Sequence, residues 1–78
     1  MYSNLINKAR NVTVEIHRRS GSKLAGRILD VDEVFIEVEV KIDKAGNFVT
    51  ERPAFDAAGS DVRRDRILVN IADIGLIA

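Results

Sequence analysis

Val34-Phe35-Ile36-Glu37-Val38-Glu39-Val40-Lys41-Ile42 is the stretch that decides the fold. Five apolar positions, Val34, Ile36, Val38, Val40 and Ile42, alternate with Phe35, Glu37, Glu39 and Lys41. Successive side chains of a strand point to opposite faces, so the pattern predicts a strand with one dry and one wet face. On its N-terminal side, Val12, Val14 and Ile16 alternate with Thr13, Glu15 and His17, a second half-buried strand. Ser20-Gly21-Ser22 then marks a hairpin turn, and a strand runs from Lys23 to about Val31. Its apolar phase changes between Leu24/Ile28 and Leu29/Val31, which predicts a bend near Gly26 to Leu29.

On the C-terminal side, Asp43-Lys44-Ala45-Gly46-Asn47 reads as a tight turn, with Phe48 to Arg52 returning antiparallel. Pro53 to Asp65 is the least regular stretch and reads as a surface excursion. The tail from Ile67 to Ala78 carries one charge and fits two short strands broken near Asn70 to Asp73. At the other end, residues 3–10 read as a short helix capped by Ser3 or Asn4, with Leu5 and Ala9 on one face. The predicted core is Leu5, Val12, Val14, Ile16, Leu24, Ile28, Val34, Ile36, Val38, Val40, Ile67, Val69 and Ile74.

Composition agrees with a β-rich domain. Nine Val and nine Ile against five Leu is a strand-former's ratio. The 78 residues are 46% apolar and 31% charged, the balance of a soluble globular chain. No run of apolar residues is long enough to span a membrane and no leader segment is visible, so a cytoplasmic protein is expected. With no cysteine and one histidine, His17, neither a metal site nor a catalytic triad is expected. No nucleophile has a base partner, so no enzymatic activity and no cofactor are expected. A chain this small, with aromatics at only 5%, is often stabilised by self-association.

Net charge is zero, but the charges are segregated. Lys8, Arg10, Arg18, Arg19, Lys23 and Arg27 stand against Glu15 alone in the first segment. Asp30, Asp32, Glu33, Glu37, Glu39 and Asp43 stand against Lys41 alone in the next. Adjacent strands of opposite sign predict cross-strand ion pairs; a basic segment can also meet phosphates. On that second ground Arg18, Arg19, Lys23, Arg63 and Arg64 are candidate phosphate contacts.

One short helix followed by five bent antiparallel strands resembles the Sm-like (Sm and LSm) family of small SH3-like barrels. The family's first motif is an alternating apolar strand, Gly, four residues, Gly, one residue, an apolar residue, and an Asp six places after the second Gly. Gly21, Gly26, Ile28 and Asp32 hold those positions, although Arg18 stands where the family usually has Leu. In the second motif, Ile67-Leu68-Val69 matches the apolar run, Asn70-Ile71 replaces the family's Arg-Gly, and Ile74 follows at the right distance. The resemblance implies an all-β, five-stranded SH3-like barrel with an N-terminal helix. It implies one domain over residues 1–78, divided into a helix (1–10), first-motif strands (11–42), a turn and variable excursion (43–65) and second-motif strands (66–78).

The resemblance also implies a ring of identical subunits and RNA as a partner. In the family a base is stacked between the residue two places after the motif Asp and the Arg of the second motif. An Asn four places after the Asp reads the base edge. Carried onto this chain, the RNA-binding positions are Asp32, Val34, Ile36 and Asn70. Only Asp32 matches, so the usual uridine pocket is not expected. The implied subunit interface is Ile67, Leu68, Val69, Ile74, Leu76 and Ile77, closing a ring of five to seven subunits. Two functions remain open: a ring-forming, RNA-associated module, and an oligomeric structural or protein-interaction module that binds no RNA.

Overall fold

The computed structural model describes residues 11–57 and 62–78. The expected N-terminal helix and Leu5 lie outside the described residues. The chain is mainly β, with five strands: β1 (Thr13–Arg18), β2 (Lys23–Val31), β3 (Phe35–Ile42), β4 (Arg63–Asn70) and β5 (Ile74–Ile77). They form one antiparallel sheet in the order β4-β3-β2-β1-β5. Among the described residues one α-helix, α1 (Arg52–Ala57), lies between β3 and β4, and a 3-10 turn, Ile71–Asp73, joins β4 to β5. Among the described residues no helix is long and apolar enough to cross a membrane.

The alternation of β3 sets the core. Ile36, Val38 and Val40 are fully buried, together with Ile16, Leu24, Ile28 and Ile74 from three other strands. Burying each such side chain is worth about 1.5–3 kcal/mol. Val12 and Val34, read from the sequence as core, are each half exposed. Val12 follows Asn11, whose positive φ of 63° turns the chain just before β1, and Val34 belongs to the turn ahead of β3. The pattern extended one residue too far at both places. Ile67 is only partly buried and packs against the core from β4.

The change of phase in β2 is a bulge. The pairing with β3 shifts register between Ile28 and Asp30, leaving Leu29 as the extra residue. Gly26 also lies pressed against β3. A Cβ there would meet the Val38 side chain and, at 2.8 Å, the Glu39 carbonyl oxygen. Gly26→Ala is therefore expected to cost about 1–3 kcal/mol by overpacking, read as a lower urea midpoint. An unchanged midpoint would mean that β3 does not press on β2 at that point.

The β1–β2 hairpin closes at Gly21, with φ of 97°, where Gly21 N–H donates to the Arg18 carbonyl over 3.0 Å. The expected return strand from Phe48 to Arg52 reduces to one bridge, Ile42 with Phe48. Val49 instead wedges between two strands: its N–H donates to the Lys41 carbonyl, and its carbonyl accepts from Ala25 N–H. The irregular excursion also contains α1, with Pro53 in its first turn, where a missing N–H is tolerated. Phe55 anchors α1 by burial, and Lys41 Nζ donates to its carbonyl at 2.6 Å while lying 4.3 Å from its ring centroid. β4 begins at Arg63, three residues before the expected start of the second-motif strands.

Candidate functional site

The positions singled out by the family motif gather around the turn between β2 and β3. Asp32 N–H donates to the Phe35 carbonyl over 2.8 Å, and Asp32 Oδ1 accepts from Val34 N–H at 3.0 Å. This is the turn-holding role that an Asp plays best. The end of β4 lies alongside, with Asn70 directly opposite Phe35. Asn70 Oδ1 accepts from Ala72 N–H at 2.9 Å and so caps the 3-10 turn. Ile71 N–H donates to the Val34 carbonyl, and Arg19 N–H donates to the Asp73 carbonyl. Three residues thus join the β2–β3 turn to the β1–β2 turn.

Asp32, Val34 and Asn70 are therefore brought together, and Ile36 is not. Its side chain is on the face of β3 away from Phe35, fully buried in the core. At the surface, the position that should stack a base carries the aliphatic Val34, and the position that should carry an Arg has an amide engaged in capping. Asn70→Arg alone is expected to give no tight uridine binding. Stacking and edge reading are each worth ~1–3 kcal/mol in single-strand recognition, and both remain missing. Anisotropy with labelled oligo-U checks this; micromolar affinity in that single variant would refute the assignment of positions.

The candidate phosphate contacts do not converge on this turn. Lys23 Nζ is held by Glu51 Oε1 at 2.9 Å and has Glu15 at 3.9 Å. The hydrogen bond to Glu51 raises its affinity for its proton. Glu15 accepts Arg52 N–H at 3.0 Å, and this bond is the chief reason its carboxyl is held below the ordinary range, with Lys23 and His17 adding to it. These contacts tie α1 to the face of β1 and β2. Arg18 is partly buried and its N–H donates to the Ser22 carbonyl, whereas Arg19 is exposed. Arg63 and Arg64 are exposed at the start of β4, opposite Ile42 and Lys41. That is about 20 Å along the strand from Asn70, at ~3.4 Å per residue. The expected cross-strand pairing of opposite charges occurs at Arg27 and Glu39, 3.1 Å apart.

The implied interface residues divide in three. Val69 and Ile74 have their side chains buried in the chain's own core. Ile67 and Ile77 are partly buried against it. Leu68 and Leu76 are 65% and 55% exposed. Each lies on the phase of its strand that faces away from the core, Leu68 opposite Glu37 and Leu76 opposite His17. A strand packed on one face only alternates, and the apolar tail concealed that alternation.

The sequence reading passed over an open groove beside the Asp32 turn, lined by Asp30, Val31, Asp32, Phe35, Glu37 and Leu68. One signal for it was present: Phe35 is an aromatic on the wet phase of the most regular strand. Among the described residues no three His, Asp or Glu side chains are grouped to hold a metal ion. No protein-family model, no curated protein and no solved structure matches the chain.

Proposed function

We propose that the chain is a ring-forming subunit of the Sm-like type, a non-catalytic protein-interaction module that does not read bases at the Sm pocket. The antiparallel order β4-β3-β2-β1-β5, the Gly21 turn and the Asp32 turn support the Sm-like reading. So do the two hydrogen bonds at the 3-10 turn, which favour a sheet curled into a small SH3-like barrel. Ile36, buried where a base-reading Asn would be needed, weighs against the uridine pocket.

The observation that carries the assembly is the pair of sheet edges. Among the described residues, β4 pairs with β3 on one side only, and β5 with β1 on one side only. Soluble proteins blunt such edges with charge or proline. The first half of β4 is so protected by Arg63, Arg64, Asp65 and Arg66. Its last four residues, Ile67 to Asn70, carry no charge, and neither do the four residues of β5. The two uncharged segments match in length, and each exposes one leucine. Pairing β5 of one subunit with the end of β4 in the next covers both, and repetition of that head-to-tail contact closes a ring. Light scattering at micromolar concentration is the test. Five to seven subunits of 8.7 kDa are expected, and a monomer would end this reading.

A second reading, RNA held by its phosphates, draws on Arg63 and Arg64, exposed on β4. Labelled oligo-U and oligo-A titrated at low and high salt decide it. Saturable, salt-dependent binding favours that reading, and no binding at low salt removes it.

A further inference from the structure

Helix α1 has a burial of its own, apart from the core. Phe55 is 4% exposed, yet it is not in the cluster that gathers Ile16, Leu24, Ile28, Val38 and Ile74. α1 packs on β1 and β2, and the groups that meet it are on the outer face of the sheet, pointing away from that cluster. Glu15 alternates with buried Val14 and Ile16, Lys23 precedes buried Leu24, and Lys41 lies between buried Val40 and Ile42. Ala25, directly opposite Glu15 and on the same face, is fully buried too. Charged side chains of the sheet hold α1 and its approach. Glu15 accepts Arg52 N–H at 3.0 Å, Lys23 Nζ donates to Glu51 at 2.9 Å, and Lys41 Nζ donates to the Phe55 carbonyl. Just upstream, Val49 is pinned by backbone hydrogen bonds to both Lys41 and Ala25. Thr50 and Glu51 link that pinned residue to the helix.

We propose that α1 is a strap that lifts from the outer face of the sheet as a unit, turning at Thr50 and Glu51, while the five strands stay folded. A helix of six residues does not persist in water by itself, so its order depends on docking. Segments that bury little apolar surface open at lower free energy than the core around them. Phe55 is the buried residue of α1, whereas the strands share the core cluster. The ion pair of Lys23 with Glu51 is exposed, and such pairs add little. What the strap hides is Lys41, 7% exposed, whose ammonium meets a carbonyl and a ring. Among the described residues no carboxylate pairs with it. Each opening returns that ammonium to water beside Arg64, its cross-strand neighbour. The outer face of β3 and β4 thus gains a cation when α1 is up. β1 and β2 are inner strands of the sheet, so the strap works within a single chain and stands independently of the ring.

Native-state hydrogen exchange in dilute urea, read by NMR on the unmutated protein, is the test. Arg52 N–H, on Glu15, and Phe55 N–H, on the Glu51 carbonyl, should have protection factors at least about tenfold below those of Val49 and Ala25. Their exchange should also depend little on urea, whereas Val49 and Ala25 should follow global unfolding. Ile36→Val weakens the core without touching the strap. It should speed exchange at Ala25 about fivefold and leave Arg52 and Phe55 unchanged. Acylation by an N-hydroxysuccinimide ester, mapped by mass spectrometry, reads the hidden group: Lys41 should react more slowly than exposed Lys44. Glu15→Gln removes the charge that Arg52 N–H meets, and should raise Phe55 exchange and Lys41 acylation together, about tenfold each. Equal protection and equal urea dependence at Phe55 and Ala25 would overturn the proposal, by making α1 part of the global unit. So would Phe55 exchange that rises with Ala25 in Ile36→Val, or Val49 exchanging with Phe55. Lys41 acylation that stays slow while Phe55 exchange rises would overturn it as well.

Discussion

Ile36→Asn is expected to remove about 3–7 kcal/mol of stability and leave the protein largely unfolded at 37 °C. Ile36 is fully buried, with Val31 and Val69 opposite it on the two flanking strands. Shortening such a side chain costs about 2–4 kcal/mol. The new amide, enclosed among aliphatic groups, adds ~1–3 kcal/mol for polar atoms without partners. Small domains have only about 5–15 kcal/mol in total. Urea denaturation measures the loss, with Ile36→Val as a control expected to lose ~1 kcal/mol. A midpoint for Ile36→Asn close to that of the unmutated chain would show that position 36 is not in the core. The point bears on the proposed Sm-like reading, in which position 36 is where the uridine pocket has its Asn: an Asn there would have to enter the core.

The second large effect concerns assembly. Leu76→Lys is expected to lower a ring to smaller species, down to the monomer, by placing a charge in the uncharged segment of β5. Leu76 is exposed within its own subunit and faces away from the core, so the fold should survive. Leu68→Lys tests the opposite edge and should have the same outcome. Ile77→Lys is less selective, because Ile77 packs on the core opposite Ile16. Sedimentation at micromolar concentration, with circular dichroism on the same samples, reports the result. If Leu76→Lys and Leu68→Lys both keep the parent mass, the seam is elsewhere.

Much of this architecture could be read from local pattern, because the cause was local. Alternation from Ile36 to Ile42 reports a sheet with one buried face, and a glycine at Gly21 reports a positive φ. Asp32 reports a turn held by its own carboxylate. What could not be read depended on residues far apart in the chain. Gly26 is constrained by the backbone of β3, thirteen residues later at Glu39, so its neighbours in sequence carry no trace of the reason. Lys41 reads as a wet-face residue, yet α1 covers it, and six residues of helix in a polar stretch give little periodicity to detect. Val34 and Ile36 occupy equivalent phases, but a turn begins between Asp32 and Phe35, exposing one and leaving the other buried. The groove escaped for the same reason. Its residues are unremarkable singly and meet only through the register of three strands.

The placement of β5 has a kinetic consequence. β1 and β2 are joined by a four-residue turn and β2 and β3 by a three-residue one, so these hairpins close cheaply. β5 must instead find β1: Ile77 pairs with Ile16, sixty-one positions away (77 minus 16). Loop closure over that distance is entropically costly, and contacts of this span slow folding toward the millisecond-to-second range. Until β5 docks, that edge of β1 stays uncovered, and the same four residues of another chain can pair there instead. Dilution favours a chain capturing its own β5, and crowding favours exchange. The yield of molecules that hold their own β5 after refolding should therefore fall as protein concentration rises.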